Sequence, residues 1–369
     1  MKKENILFFI DSLKSIGGAE QMFIDQANYF AKVGVPTYFA LSRSLKRDDF
    51  SKELELKNPV EYFLFENILD IRSYFKLKKY IKQNNIKILY AYLDYSNMVA
   101  RIMKFFMPSL KVIIVEPGDP GRKKKWMRQF DWVLNFFVYK VFAMSDAISE
   151  HLIAYLKIHR KKILGMRNGV HQILSDIQVE AKWKKSDKSE FVLFHVGNMR
   201  TENKGHEAFI KTIREITDQR PDINVKLILV GDGHMKEDLV DLAKKLNVSD
   251  RVVFTGAVAH KAMNDYFLQA DVFLFNSRTE GGAAGIMEAT SAALPTISSN
   301  FTSVHEVVLE GKTGWIIARD DVKSFVKYVI QLHDDRNKRI EMSKNAFKFY
   351  KENFTYDKLA DKFIEEIYS

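Results

Sequence analysis

Short apolar runs alternate with amphipathic segments twice along this chain. Ile6 to Ile10, Pro36 to Leu41, Tyr62 to Phe65, Ile86 to Ala91, Val112 to Val115 and Val141 to Ala143 read as strands buried on both faces. Helices are predicted between them, for instance Ala19 to Val33 and Asp146 to Ile158, and this alternation is the pattern of a parallel sheet with crossover helices. A second series runs through Phe191 to Val196, Val225 to Val230, Val252 to Thr255, Val272 to Phe275, Thr296 to Ser299 and Gly314 to Ile317. Between the two, Asp176 to Ser189 is polar, charged and without periodicity, so it reads as a linker. The expectation is therefore an α/β chain of two doubly wound Rossmann-like domains facing across a cleft. Residues 1–175 and 190–349 would form the domains and residues 176–189 the linker, with ligands at the carboxyl edges of the sheets. Lys344 to Tyr368 reads as one amphipathic helical stretch, with Phe347, Phe349, Tyr350, Phe354, Leu359 and Phe363 available for burial.

Composition narrows this picture. The 369 residues include no cysteine, which removes disulfides, thiolate nucleophiles and thiolate metal ligands, and permits a reducing, cytoplasmic setting. The apolar run after Lys2 and Lys3 is too short for a signal peptide, and no run approaches the length of a spanning helix. The net charge of +10 is unevenly placed: residues 1–180 hold 29 Lys and Arg against 19 Asp and Glu, and the remainder holds 28 of each. In that basic half, cations are interleaved with large apolar residues. Arg122-Lys123-Lys124-Lys125-Trp126-Met127-Arg128 leads into Trp132 to Tyr139, and Tyr74 to Tyr80 and Arg101 to Phe106 repeat the theme. This mixture suits an anionic bilayer surface better than nucleic acid. The alternative is that Trp132 to Tyr139 is a core helix and the lysines are a solvated face.

The segment from Phe275 to Ala289 carries the most chemistry. Small residues at Gly281, Gly282, Ala283, Ala284 and Gly285 follow a strand and open a helix, leaving amides available to an anionic or hydroxyl-rich ligand. Glu280 and Glu288 stand at its two ends, and eight positions apart they would meet different parts of one extended ligand. Upstream, Gly197-Asn198-Met199-Arg200 and Lys204-Gly205-His206 place a glycine and two cations between a strand and a helix, a combination suited to a diphosphate. Gly231-Asp232-Gly233 and Gly256-Ala257-Val258 bring two further strand-to-turn units to the same edge. His195, His206 and His234 lack metal-ligand spacing and read as structural.

In this order and spacing the residues resemble the retaining family 4 glycosyltransferases of the GT-B fold. The resemblance is densest over Phe191 to Ile317, in the Glu-x7-Glu of Glu280 and Glu288, Lys204-Gly205, the Gly231 and Gly233 turn, and Gly311-Lys312-Thr313-Gly314. Gly17-Gly18-Ala19-Glu20 and Asn168-Gly169-Val170 extend it into the first half. It implies that Glu288 binds ribose hydroxyls, Glu280 contacts the transferred sugar, and Lys204 neutralises the donor diphosphate. Gly17 and Gly18 would approach that diphosphate from the first domain, the amides of Gly281 to Gly285 would hold sugar hydroxyls or phosphate, and Gly256 to Val258 would lie near the base. It also implies that a helix over about 350–369 packs back on the first domain.

The family's arginine after the first glycine is Asn198 here, so Arg200 is expected to supply the second cation. Its Gly-Phe-Gly is Gly281-Gly282-Ala283, and its glycine before Leu294-Pro295 is Ala293. Asp94, Tyr95 and Glu116 are the acceptor-side candidates. No Asp-x-Asp is present, so no metal is implied, and no cofactor either, the nucleotide-sugar being a substrate. The function implied is transfer from a nucleotide-sugar, a UDP-sugar by expectation, to a lipid-linked or growing cell-surface glycan. The chain would act peripherally at the inner face of the cell membrane, without nucleic acid partners. A nucleotide-sugar epimerase and a non-catalytic partner of an active transferase are the competing readings.

Overall fold

The computed structural model describes residues 3–13, 18–43, 51–116, 118–165, 169–184, 190–259 and 262–368. Its contacts divide the chain into two compact units, Met1–Asn168 with Asp357–Ser369, and Gly169–Tyr356. The division falls at Gly169, earlier than the expected boundary after residue 175.

The first unit holds β1 (Asn5–Ile10), α1 (Gly18–Lys32), β2 (Thr37–Leu41), β3 (Glu61–Tyr62), α2 (Ile71–Gln83), β4 (Ile86–Tyr92) and α3 (Asp94–Phe106). It continues with β5 (Lys111–Glu116), α4 (Lys125–Asn135), β6 (Lys140–Ala143), α5 (Asp146–Leu156) and β7 (Ile163–Gly165). The strands form one sheet in the order β3-β2-β1-β4-β5-β6-β7, every pairing parallel. Consecutive strands run outward from β1 on one side and from β4 on the other, so the topological switch lies between β1 and β4. Phe8, Phe23, Phe30, Phe39 and Tyr90 fill one face, with Phe8 lying 5.0–6.4 Å from each of the other four ring centroids.

The second unit holds α6 (Asp176–Lys184), β8 (Phe191–Val196), α7 (His206–Gln219), β9 (Val225–Val230), α8 (Lys236–Lys245), β10 (Val252–Gly256), α9 (Met263–Gln269) and β11 (Val272–Phe275). Then come α10 (Ala284–Ser291), β12 (Thr296–Ser299), β13 (Gly314–Ile317), α11 (Val322–Asp334) and α12 (Arg336–Asn353). Its parallel sheet runs β10-β9-β8-β11-β12-β13, which places the switch between β8 and β11.

Two expectations need correction. The stretch read as a linker begins with α6, and a capping box explains it: Ser175 Oγ accepts from the Gln178 amide at 3.3 Å while Gln178 Oε1 accepts from the Ser175 amide at 3.0 Å. Val179 is then buried, and Trp183, one turn later, donates to Ser343 Oγ at 2.7 Å, so tertiary contacts hold a helix whose own pattern is weak. The C-terminal stretch is two helices, α12 and α13 (Tyr356–Tyr368), broken at Phe354 and Thr355. Tyr350 and Phe354 are buried in the second unit, whereas Phe363 of α13 lies 4.8 Å from Phe142 and 5.4 Å from Tyr90 in the first. Asp357–Ser369 thus belongs to the first unit.

Candidate functional site

At the switch of the second unit, the loops that follow β8 and β11 lie side by side because their strands are neighbours. A single buried amide ties them. Asn276 Nδ2 donates to the Gly205 carbonyl at 3.1 Å and to Asp320 Oδ1 at 2.7 Å, and its Oδ1 accepts from the Asp320 amide at 3.0 Å. Both donors and the acceptor are used, which fixes the side chain and ties its own loop to the two it touches. Gly205 has φ +61°, and a Cβ there would lie 2.2 Å from Asn276 Nδ2, so glycine is required twice over. The Lys-Gly pair was legible in the sequence; Asn276 and Asp320, which make the glycine necessary, were not.

Lys204 ends this loop and reaches across the switch to Glu280, Nζ to Oε1 2.5 Å, with its ammonium 5.7 Å from the Phe275 ring centre. Both side chains are mostly withdrawn from solvent. The loop beneath is zipped to the β9 turn: Gly197 donates to the Val230 carbonyl, Met199 to Asp232, and Met235 to Met199, all at 2.9–3.0 Å. Gly231 donates in turn to Gly256 at 3.0 Å, and a Cβ on Gly231 would stand 2.0 Å from the Gly197 carbonyl. The four glycine-bearing loops therefore form one braced edge. Asn198 and Arg200 are exposed on it, Gly256 and half-buried Val258 sit at its β10 end, and Lys236 Nζ lies 3.5 Å from where a Gly256 Cβ would be. Sequence reasoning missed Lys236.

Past Glu280, Gly281 and Gly282 lead into Ala283, whose φ of +49° caps α10. The Ile286 and Met287 amides donate to the Ala283 carbonyl at 2.9 and 3.3 Å, so the donors and partial positive charge that α10 presents at the switch are those of Ala284 and Gly285. Ile286, Met287, Ala289 and Thr290 are buried, whereas Ala284, Gly285 and Glu288 share the open face, three and four residues apart. Glu288 thus stands one turn above those amides. Ala283 and Ala293 replace the two glycines that the resemblance expects, and both hold positive φ, +49° and +56°. Each alanine is strained there by about 1 kcal/mol.

Behind Lys204 two imidazoles are buried against each other, His195 and His206, with ring centres 5.0 Å apart. Burial pushes His206 down to about 4, with Lys204 adding to the effect and a hydrogen bond to the Gly197 backbone opposing it. Burial and then His206 hold His195 well below the ordinary histidine range. Unfolding lets both imidazoles take protons near pH 6.5, whereas the folded protein refuses one at His206 until about pH 4. Between those values the unfolded chain binds more protons, so stability falls as pH falls. Lowering pH from 6.5 to 5 should cost up to about 2 kcal/mol through His206. Urea denaturation at the two pH values measures this: His206→Gln should flatten the dependence, and an undiminished slope would contradict the assignment.

In the first unit, Gly17 and Asn168 lie outside the described residues, and Gly18 is the exposed first residue of α1. Asp94 is exposed at the start of α3. The Tyr95 amide donates to Asp11 at 3.4 Å, Arg43 lies 4.7 Å from its ring centre, and its hydroxyl is buried. Glu116, expected to face an acceptor, is instead buried in an ion network. Its oxygens accept from Arg101 at 3.0 Å and Lys123 at 2.8 Å, and the same two cations pair with Asp131 at 3.3 and 2.9 Å. A carboxylate so enclosed and doubly paired is a structural ion. Among the described residues no group of three or more His, Asp and Glu is placed to hold a metal, and no helix is long and apolar enough to cross a membrane.

Two Rossmann-like units, each with a parallel sheet, are the architecture of the GT-B fold. Residues 176–349 match the family described as glycosyl transferases group 1. The chain is 28% identical over 184 residues to N-acetyl-alpha-D-glucosaminyl L-malate synthase of Bacillus anthracis, covering 49% of this chain and 46% of the relative. It is 23% identical over 371 residues to an uncharacterized glycosyltransferase of Haemophilus influenzae, covering 98% and 99%. The chain spans less than half the length of the first curated relatives it matches. Among solved structures, Anabaena HepE in complex with UDP shares the fold at TM-score 0.82 and 19% identity, over 98% of this chain and 99% of that one.

Proposed function

We propose that this protein is a retaining, metal-independent glycosyltransferase that moves a hexosyl or N-acetylhexosaminyl group from a UDP-sugar to a lipid-linked or growing cell-surface glycan. The observation that carries this reading is the Lys204–Glu280 pair set across the switch beside the open N-terminus of α10. A diphosphate at that edge meets Lys204, Arg200 and helix amides, which together stabilise charge that grows as the glycosidic bond breaks. Glu280, released from Lys204, accepts hydroxyls of the sugar, and Glu288 accepts those of the ribose. The anomeric carbon loses its bond to the diphosphate oxygen and gains one to the acceptor oxygen on the same face, while the acceptor proton passes to the departing diphosphate. That HepE is seen with UDP and with UDP-glucose supports the same donor class here. The basic, aromatic first half supports an acceptor presented at the inner face of the cell membrane.

Release of UDP from a UDP-sugar tests this. It should require a glycan or lipid-linked acceptor and yield a glycosylated product; conversion of the sugar without acceptor would show an epimerase instead.

A further inference from the structure

The helix α4 is partly inverted: Leu134 is buried, yet a charge is turned inward and two tryptophans outward. Its inward residues include Asp131 and Asn135, 5% and 3% exposed, whereas Trp126, Trp132 and Phe136 on its outward side are 65%, 54% and 77% exposed. Helix spacing places Lys125, Trp126, Gln129, Trp132, Val133 and Phe136 along one stripe. The inversion is enforced from below. Arg101 and Lys123 grip Asp131, and Arg101 Nε donates to Asn135 Oδ1 at 3.0 Å, so the polar side of the helix is pinned to the body by ions and hydrogen bonds. No rotation of α4 could bury the tryptophans without stripping a buried arginine of its partners. The aromatic surface also continues beyond the helix: Phe105 of α3, itself exposed, lies 4.9 Å from Phe137, which lies 5.5 Å from Phe136.

Cations border this ridge. Lys124 and Lys125 are exposed at its start, and Lys162 donates to the Phe136 carbonyl at 2.7 Å with its ammonium 5.5 Å from that ring centre. The one acid of α4 is the buried Asp131. Lys104 and Lys162 are both held below the ordinary lysine range, chiefly by burial, and Lys104 further by the charge of Lys162. Amphipathic tryptophans and phenylalanines with a cationic border and no exposed acid on α4 itself complement an anionic lipid surface: the rings enter the headgroup region and the cations meet lipid phosphates.

We infer that the outward stripe of α4, extended by Phe105 and Phe137, is the face by which this protein docks on an anionic bilayer. The inference rests on the membrane reading above and adds the surface that carries it. Docking through α4 requires no transmembrane segment, and each bordering cation adds roughly five-fold to partitioning.

The test is flotation of the full chain with vesicles of phosphatidylcholine containing 30% phosphatidylglycerol at low salt, against pure phosphatidylcholine. The wild type should float with the anionic vesicles alone, and its tryptophan emission should shift to the blue as Trp126 and Trp132 leave water. Trp126→Ser/Trp132→Ser/Phe136→Ser, all at exposed positions, should weaken binding more than ten-fold, and Lys124→Glu/Lys125→Glu should do likewise. Both variants should keep the thermal stabilisation conferred by UDP, which reports the second unit. Loss of that stabilisation in the wild type with flotation intact would sink the transferase reading and leave the docking face standing. The docking face is overturned by a wild type that stays at the bottom of the gradient, or by a triple variant that floats equally well. It is also overturned by a wild-type dimer that the triple variant converts to monomer without changing flotation.

Discussion

Glu280→Gln should bind UDP more tightly than the wild type and transfer sugar more slowly. In the resting site Glu280 holds Lys204 at 2.5 Å, so a diphosphate must take the ammonium away from a carboxylate that is mostly withdrawn from solvent. Removing the negative charge frees Lys204 in advance. An ion pair of this exposure is worth about 1 kcal/mol, which corresponds to a roughly five-fold gain in UDP affinity. The same substitution weakens hydrogen bonds from the sugar hydroxyls to a charged acceptor, costing about 1.5–3 kcal/mol, or some ten- to hundred-fold in turnover. Lys204→Ala should behave differently, losing both UDP affinity and about 10²–10³ in turnover, because it removes charge stabilisation of the departing diphosphate. Titration calorimetry with UDP and initial rates separate the two. Weaker UDP binding by Glu280→Gln would show that the pair does not guard the donor site.

Arg101→Met should destabilise the fold by about 3–5 kcal/mol. Arg101 is buried and meets Glu116, Asp131 and Asn135 at 3.0–3.3 Å, and methionine fills similar volume without charge. Two buried carboxylates would then share Lys123 alone. Adding Glu116→Gln should recover part of the loss, because one carboxylate no longer needs a counter-charge. Urea denaturation measures both, and a loss below about 1 kcal/mol for the single variant would mean that solvent reaches the cluster. Since the network also pins α4, vesicle flotation of Arg101→Met should weaken along with stability.

Most strands were legible because each is a short run of β-branched and aromatic residues buried on both faces, as in Phe191–Val196 and Val225–Val230. β7 escaped notice: Ile163–Gly165 is three residues long at the sheet edge, and its place is set by Val141, Phe142 and Ala143 beside it. α6 escaped because propensity and periodicity are weak there, although the Ser175 and Gln178 spacing was a usable signal. At α4 the sequence left two readings open, an exposed aromatic face and a core helix. Periodicity reports which residues share a face, and the assumption that the apolar face turns inward fails where Arg101 and Lys123 attract Asp131 and Asn135. At the edge where the loops after β8 and β11 meet, the glycines and charges are visible in the sequence, but a sequence does not show that Asn276 ties its own loop to two others. Glu116 was misassigned for the same reason, since its partners Arg101 and Lys123 come from elements that pattern alone does not bring together.

Thermal unfolding in the presence of nucleotides tests the donor site most directly. Wild-type protein titrated with UDP and UDP-sugars should show a midpoint that rises with concentration, the rise being smaller in Lys204→Ala and in Glu288→Ala although both unfold cooperatively on their own. Midpoints unmoved at millimolar UDP and UDP-sugar, or raised equally in all three proteins, would contradict a donor site at the switch between β8 and β11.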